Sequence, residues 1–594
     1  MNVIKRIPYG LTDFNRIQYE NYYYVDKTRF IPLLEQSANY LFLIRPRRFG
    51  KSLLLSIIED YYDIYRKDLF KDLFANTYIS TNPTAEQGEY LVLSFNFSAV
   101  NPGIDKVEAS FEWHCRNCFS LFNYKYKHLF DENYIVDFDK AQNSYDKLEY
   151  IYYQAKRHKL KLYVIIDEYD NFANTILTTE NGENNYKKLT HDDGFFRFFF
   201  NKLKAGTTGS DAAISKLFIT GVSPITMDDV TSGFNIGLNI STNPVFNEIV
   251  GFTEDEVLRM IEYYKSKGKI QQDVNLMPML TQWYGGYRFS KKIGKMTYNS
   301  DCILFFIHHL LFTGEQLENP IDPNVTTDYS KLQHLIILDK KLNGNFSHLK
   351  SIIENSFIIS NIQQSFSLHE LIQPESFISL LYYFGLITIS GTKAGRTILK
   401  IPNETIKSFF SLYIKNSYKA TNTFNIEIYH YSNLIQAMAY EGEWQNVFTF
   451  LSEEVKKQTA IRDYINGEAM IKGFLLAYLN ITDHYMVISE KEMNKGFADI
   501  YLEPFFLKYT DMTYSYLIEV KYINRSVKNT KKSTKDNPDL SSTIEQLVTE
   551  ATTQLNSYVK DDYVQKTKKN TELRKLILVY HGWELVKFTE HIGY

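Results

Sequence analysis

Tyr40-Leu41-Phe42-Leu43-Ile44, followed at once by Arg45-Pro46-Arg47-Arg48-Phe49-Gly50-Lys51-Ser52, is the stretch that decides the fold. Five apolar residues in a row suit a strand buried on both faces, as in a parallel sheet. Leu53 to Tyr65 continues as an apolar helix. A strand, a Gly-Lys-Ser loop and a helix make an anion site, because backbone N–H groups and a helix N-terminus converge there. Lys51 is expected to reach the β- and γ-phosphates of a nucleotide, and the Ser52 hydroxyl to ligate Mg²⁺. One position departs from G-x-x-x-x-G-K-[ST]: Arg45 stands where the first glycine would be.

A Gly-Lys-Ser loop is informative only with an acidic partner, and Lys161-Leu162-Tyr163-Val164-Ile165-Ile166-Asp167-Glu168 supplies one. Asp167, ending an apolar strand, is expected to hold Mg²⁺ through water, and Glu168 to act on the attacking water as general base. Tyr90 to Val100 and Leu217 to Ser223 read as further strands. The latter ends with Thr220 and Ser223, either of which suits a contact to the γ-phosphate or the lytic water. Strands interleaved with helical stretches predict an α/β layered domain with its ligand at the carboxyl ends of the strands.

The chain has 594 residues, too many for one core, and divides into several units. Its 44% hydrophobic and 23% charged residues are those of a globular protein. A net charge of −3 provides no global basic field, so any nucleic-acid contact must come from local clusters. Three cysteines, Cys115, Cys118 and Cys302, imply no disulfide framework and suit a reducing compartment. His114, Cys115 and Cys118 have metal-ligand spacing without a second pair nearby, so the spacing reads as coincidence. The N-terminus lacks the apolar run of a signal peptide, and no stretch approaches the ~18 apolar residues of a membrane span. A cytoplasmic protein with no membrane partner is the expectation.

Together, Ile7-Pro8-Tyr9-Gly10, Tyr23 to Thr28, Arg45 to Ser52 and Thr220-Gly221-Val222-Ser223-Pro224 resemble the AAA-ATPase-like family. The resemblance continues through Gly251-Phe252-Thr253-Glu254 and Tyr284-Gly285-Gly286-Tyr287-Arg288-Phe289. Arg45 is the form usual in that family, whose members commonly carry a PD-(D/E)XK domain at the C-terminus. The resemblance implies ATP and Mg²⁺ as cofactors. The expected nucleotide set is Arg45, Arg48, Phe49, Gly50, Lys51, Ser52, Asp167 and Thr220, with Glu168 catalytic. Asp26 and Lys27 suit either nucleotide contact or packing. Arg288 suits either a phosphate sensor or a surface ion pair. The loop arginines, Arg47 included, suit either phosphate or an oligomer interface, and a homo-oligomer is among the expected states.

Thr253-x-x-Glu256 opens a capping box, so residues 241–320 are expected as a helical lid after a core of 1–240. Phe377 to Tyr383 reads as a helix and Leu386 to Ile401 as a hairpin, a winged-helix-like pattern assigned to 321–418. Few basic residues cluster there, which favours a packing role. The polar stretch Ala420 to Thr423 is the expected linker into a final domain, 425–594.

That domain contains Gly496-Phe497-Ala498-Asp499-Ile500-Tyr501-Leu502 and then Tyr516-Leu517-Ile518-Glu519-Val520-Lys521, read as a hairpin. Strand alternation sets Glu519 and Lys521 on one face. Two carboxylates, Asp499 and Glu519, can hold Mg²⁺ with the Val520 carbonyl, and Lys521 can orient or help deprotonate water. Ile461 to Leu479 reads as a helix carrying Glu468, a further candidate ligand, with Glu490 as the other option. Gln554 and Tyr558 lie one helical turn apart. Asp-x(19)-Glu-x-Lys alone is a loose pattern. Joined to the helix Glu and the Gln-x-x-x-Tyr helix, it resembles the PD-(D/E)XK phosphodiesterase superfamily. That likeness implies Asp499, Glu519 and Lys521 as catalytic residues, with Gln554 and Tyr558 supporting. Arg525, Lys528, Lys531, Lys532 and Lys535 make the following segment basic, suited to a phosphate backbone or to plain solvation.

The fold expected is therefore α/β throughout: a P-loop NTPase, AAA-like domain with a helical lid and winged-helix-like middle, then an α/β PD-(D/E)XK nuclease-like domain. The function expected is ATP binding and hydrolysis controlling a Mg²⁺-dependent nuclease that acts on DNA more than RNA. The alternative is an ATP-driven switch or nucleic-acid-binding protein whose nuclease fold does not cut.

Overall fold

A computed structural model describes residues 4–176, 182–191, 194–209, 212–225, 237–292, 294–315, 317, 320–328, 337–338, 341–342, 344–355, 357–420, 423–462, 467–482, 484–493, 496–506, 509–525 and 540–591. Two compact units emerge: Met1–Glu315 with Ile359–Asn403, and Gln316–Ile358 with Glu404–Tyr594.

The first unit is built on a parallel five-stranded sheet of β1 (Tyr40–Ile44), β2 (Tyr90–Asn96), β3 (Lys161–Asp167), β4 (Ile214–Gly221) and β5 (Leu238–Asn239). Their order is β2-β3-β4-β1-β5. β1 is an interior strand, and its Leu41 to Ile44 are all buried, as in a strand covered on both faces. It pairs with β4 on one side and β5 on the other, with Leu43 opposite Thr220 and Ile44 opposite Gly221. All five strands run the same way, so the ends of β1, β3 and β4 meet at one edge, where the chain turns from β1 into α1 (Lys51–Tyr62). The strand read as Tyr90 to Val100 ends at Asn96, because the Asn96 side chain caps a 3₁₀ turn over Phe97–Ala99.

Helices α2 (Val107–Tyr126), α3 (Ser144–Arg157) and α4 (Phe195–Gly206) connect the strands. The abundant phenylalanines have a structural use here. Phe95 and Phe97 on the sheet side meet Phe111 of α2 and Phe199 of α4, with ring centroids 5.2–5.8 Å apart for Phe111–Phe199, Phe97–Phe111, Phe95–Phe199 and Phe97–Phe199. Such tilted and edge-on pairs add about 0.5–1.5 kcal/mol each beyond the area they bury.

Beyond the sheet, α5 (Glu254–Ser266) begins with the expected capping box between Thr253 and Glu256. Glu256 also receives the Lys27 ammonium at 2.7 Å, a pair buried on both sides. Asp26 accepts the amides of Thr28 at 2.8 Å and Tyr78 at 2.6 Å. Both residues are thus engaged in packing and turn formation. α6 (Ser300–Thr313) is capped by Asn299, and its Ser300 hydroxyl and Asp301 amide donate to the Arg48 carbonyl at 3.1 and 3.2 Å. α7 (Pro374–Tyr383) and the hairpin β6 (Thr388–Lys393) with β7 (Arg396–Lys400) keep the helix-then-hairpin order read from the sequence.

The second unit contains a mixed sheet in the order β8 (Tyr485–Met493), β9 (Gly496–Pro504), β10 (Tyr514–Ile523), β11 (Glu572–His581) and β12 (Glu584–Glu590). β8, β9 and β10 are antiparallel neighbours, β10 and β11 run parallel, and β12 turns back on β11. The parallel step requires a crossover, which α9 (Leu540–Tyr558) supplies while packing on β10 and β11. α8 (Glu468–Leu479) precedes the sheet. The linker residues Thr421 and Asn422, and the lysines Lys528, Lys531, Lys532 and Lys535, lie outside the described residues. No described helix is long and apolar enough to cross a membrane.

Two stability predictions come from this framework. Gly286 has φ +89°, and a Cβ there would lie 2.2 Å from the Pro402 carbonyl oxygen. Gly286→Ala is expected to destabilise the first unit by about 2 kcal/mol or more, read as a lower denaturation midpoint. Burial at the end of α1 pushes the Asp60 carboxyl up to about 7, against the opposing pull of Arg66 3.0 Å away. A carboxyl raised in the fold contributes stability that is fully present below its unfolded pKa and is lost as pH rises through the folded one. Between pH 5 and 8 wild-type protein should therefore lose about 2–3 kcal/mol more than Asp60→Asn, measured by chemical denaturation.

Candidate functional site

At the sheet edge, three strands deliver their ends to one carboxylate. Asp167, last in β3, accepts the Ser52 hydroxyl at 2.5 Å and the Thr220 hydroxyl at 2.6 Å. The Glu168 amide donates back to Asp167 at 3.0 Å. Ser52 comes from the first turn of α1 and Thr220 from β4, so β1, β3 and β4 are pinned together.

The loop between β1 and α1 is shaped by Gly50 at φ +92° and by Arg48 at φ +66°. Left-handed conformations are costly for residues with a Cβ, and such strain is held only where the surroundings enforce it. Here Arg48 is tied through its carbonyl to α6 and through its guanidinium to Asp301 at 2.5 Å. Phe49 is buried with its ring edge-on to Tyr287 at 4.9 Å and Phe289 at 5.4 Å. Its side chain anchors the loop from below. Lys51 donates to the carbonyls of Arg45 and Pro46, both at 3.0 Å, so the ammonium lies across its own loop. Burial lowers its pKa, opposed by the nearby charges of Asp167 and Glu168.

Arg45 is 1% exposed. Its guanidinium donates to the backbone carbonyls of Ile44, Ser241 and Phe246 and lies 4.1 Å above the Phe289 ring. Burial pushes its pKa down to about 10. The side chain acts as a strut under the loop, whereas its carbonyl faces Lys51. Arg47 donates to Asn171 at 3.0 Å. Each of the three loop arginines thus has a partner inside the chain. Arg288 is tied by its backbone amide to Thr388 at 2.7 Å.

Glu168 is half-buried with φ +49°, and burial raises its pKa. A carboxylate whose pKa burial raises can accept a proton more readily, and the Lys51 charge opposes that rise. One residue the sequence reading passed over is Asp170, 1% exposed. It accepts the amides of Val222 and Ser223, the latter at 2.6 Å, and the Asn174 side chain at 2.7 Å. It fixes the segment that follows Thr220. The run Asp167-Glu168-Tyr169-Asp170 was the available signal.

In the second unit, Asp499 on β9 and Glu519 on β10 are both buried, at 7% and 2% exposure. Asp499 accepts the Val520 amide at 2.8 Å, which locks it against β10. Lys521 reaches Glu519 at 2.9 Å, on the shared face that strand alternation predicts, and also Gln554 of α9 at 2.7 Å. Burial raises the Glu519 carboxyl to about 7, helped by the Asp499 charge and opposed by Lys521. One Glu519 oxygen, Oε2, is buried with no hydrogen-bond partner among the described residues. Tyr558 is 3% exposed and belongs to a buried cluster with Tyr501, Leu517, Leu555 and Ile577.

Glu468 is exposed at the start of α8 and binds Lys472 at 2.8 Å, one turn on. Lys472 in turn reaches Asp499 at 2.5 Å. The sequence reading missed Lys472, although Glu468-x-x-x-Lys472 is an i,i+4 pair on one helix face. The side chain of Glu490 lies outside the described residues.

Among the described residues no three His, Cys, Asp or Glu side chains gather as a metal cage. Two carboxylates and a strand carbonyl remain a reasonable partial shell, since Mg²⁺ retains several waters and uses one or two carboxylates. The unpartnered Glu519 Oε2 fits that use, because a buried lone oxygen is costly without a cation or donor.

Comparison with known proteins identifies two domain families in the chain. A family model described as a predicted AAA-ATPase matches residues 8–231, and one of the PD-(D/E)XK nuclease superfamily matches residues 466–590. An uncharacterized protein in the vnfD 5′ region of Azotobacter chroococcum mcd 1 is 26% identical over 305 residues, 51% of this chain. The match spans 52% of that relative, about half its length. The chain therefore carries a predicted AAA-ATPase domain in its N-terminal region and a PD-(D/E)XK nuclease superfamily domain in its C-terminal region.

Proposed function

We propose that the chain binds and hydrolyses ATP at the β1–α1 loop and that its C-terminal domain is a Mg²⁺-dependent phosphodiesterase. DNA is the preferred substrate over RNA, and the nucleotide state governs cutting. The observation that carries the ATPase reading is the convergence of Ser52, Asp167 and Thr220 from three neighbouring elements. For the nuclease it is the set of buried Asp499 and Glu519 with Lys521 and Gln554, in which Glu519 Oε2 has no partner among the described residues. The choice of DNA rests on the superfamily likeness, an argument by analogy. Control by ATP rests on the two domains sharing one polypeptide. A core at 1–240, a lid at 241–320, a middle region at 321–418 and the nuclease domain at 425–594 remain our proposed division of labour. A cytoplasmic, self-associating protein suits this reading.

Ser52 and Asp167 would hold Mg²⁺ in the first site, and Asp499, Glu519 and the Val520 carbonyl in the second, with Glu468 at its margin. When bound, the ion neutralises the phosphate charge that otherwise repels an attacking water. The chain's own groups do the rest. Lys51 exchanges the carbonyls of Arg45 and Pro46 for phosphate oxygens. Backbone N–H groups of the Arg48-Phe49-Gly50 turn and the α1 N-terminus face the same anion. Glu168 accepts a proton from the attacking water, while Thr220 keeps the Asp167 carboxylate turned toward Ser52. In the second site Lys521, held between Glu519 and Gln554, orients the water that attacks phosphorus.

Lys51→Ala is expected to weaken ATP binding at least tenfold in a fluorescent-nucleotide titration, and unchanged affinity would remove the loop from the nucleotide site. Glu168→Gln should bind ATP normally yet hydrolyse it about 10²–10⁴-fold more slowly. Asp499→Ala should abolish Mg²⁺-dependent cleavage and leave ATP turnover intact, tested on single- and double-stranded DNA and RNA. If wild-type protein cuts none of these with Mg²⁺ or Mn²⁺, with or without ATP, the nuclease reading fails and a non-cleaving switch takes its place.

A further inference from the structure

Lys472 occupies the position in the second site that its proposed chemistry needs to be vacant. Its ammonium is 2.5 Å from Asp499 Oδ1, and the other Asp499 oxygen is taken by the Val520 amide at 2.8 Å. Both oxygens of this buried carboxylate are thus engaged, and the ammonium lies on Oδ1. On its other side Lys472 binds Glu468 Oε1 at 2.8 Å. The two carboxylates differ in setting: the Asp499 side chain is 10% exposed and that of Glu468 47% exposed. Lys472 itself is 15% exposed, so it bridges from the interior to the rim.

A buried carboxylate without a counter-charge is strongly destabilising, and an ammonium on it removes that penalty. Two cations on one oxygen repel each other, so a divalent ion and Lys472 compete for Asp499 Oδ1. Glu468 offers the displaced lysine a second seat one helical turn away, already within hydrogen-bond reach. Lys521 differs, because it lies on Glu519 Oε1 and Gln554 and leaves Glu519 Oε2 open. One carboxylate oxygen is therefore open and another is guarded.

We propose that Lys472 is a tethered placeholder cation: it stabilises the metal-free site on Asp499 and moves onto Glu468 when a divalent ion binds. Glu468 is then the seat of the lysine, and it contributes no bond to the metal. This rests on the assignment of a divalent ion to Asp499 and Glu519. The full-length chain, without substrate or nucleotide, would be titrated with Mn²⁺ and the free ion read by electron paramagnetic resonance.

Lys472→Met should tighten Mn²⁺ binding about tenfold or more, the scale of one close charge pair in a partly buried site. The same variant should be less stable than wild type in chelator and recover on adding Mn²⁺. Lys472→Arg, which keeps the charge, should bind Mn²⁺ within about threefold of wild type, and serves if Lys472→Met does not fold. Arginine binding as tightly as expected for methionine would overturn the charge argument. In the Lys472→Met background, adding Glu468→Gln should leave Mn²⁺ affinity unchanged, and a further loss would make Glu468 a ligand. Equal or weaker binding by Lys472→Met overturns the placeholder. Mn²⁺ binding that survives Asp499→Ala unchanged would instead overturn the metal site itself, so the two failures are distinguishable.

Discussion

Three parallel strands of the N-terminal sheet depend on a single carboxylate. Asp167 ends β3, yet its two oxygens are committed to hydroxyls from the α1 turn and from β4, at 2.5 and 2.6 Å. Hydrogen bonds to a charged group contribute about 1.5–3 kcal/mol each, more than a neutral pair. They also set geometry. With Ser52 and Thr220 fixed on Asp167, the turn after β1 has little freedom, and the Lys51 and Glu168 charges are close enough to act on each other. The strained backbone at Arg48 and Glu168, with φ of 66° and 49°, is held by this arrangement.

Buried positive charge is the second constraint on that loop. Lys51 and Arg45 are 6% and 1% exposed, and each is met chiefly by backbone carbonyls. Carbonyl dipoles compensate a buried cation less well than a carboxylate does, so both groups are destabilised in charged form. The effect differs in use. Arg45 is braced by Phe289 and by segments after β5, and it props the loop. In the nucleotide-binding reading proposed for the loop, the incomplete compensation of Lys51 favours the arrival of phosphate.

The C-terminal site solves a related problem with opposite signs. Asp499 and Glu519 are buried carboxylates on adjacent strands, and Lys472 and Lys521 neutralise them from two directions. α8 and α9 deliver the outer partners, Glu468 and Gln554, so the sheet supplies the acids and the helices supply what positions them. Tyr558 follows Gln554 by one helical turn of α9 and belongs to a buried cluster with Tyr501 and Leu517.

Much of this was legible in the chain itself. An apolar pentapeptide before the Gly-Lys-Ser loop and the apolar run Leu162 to Ile166 before Asp167-Glu168 suit buried parallel strands, because such strands are covered on both faces. Period-two alternation determined that Glu519 and Lys521 share a face, and the capping box at Thr253 and Glu256 is a local hydrogen-bond pattern. Contacts between distant segments were not legible. That Arg45 turns onto Ser241 and Phe246, that Asp170 captures the amides after β4, and that Lys472 sits on Asp499 all depend on which strands and helices become neighbours. Local spacing carries no information about those neighbours. Only the closed tertiary structure decides which buried charges meet which partners, because desolvation makes every unpaired one costly and leaves few arrangements that satisfy them all.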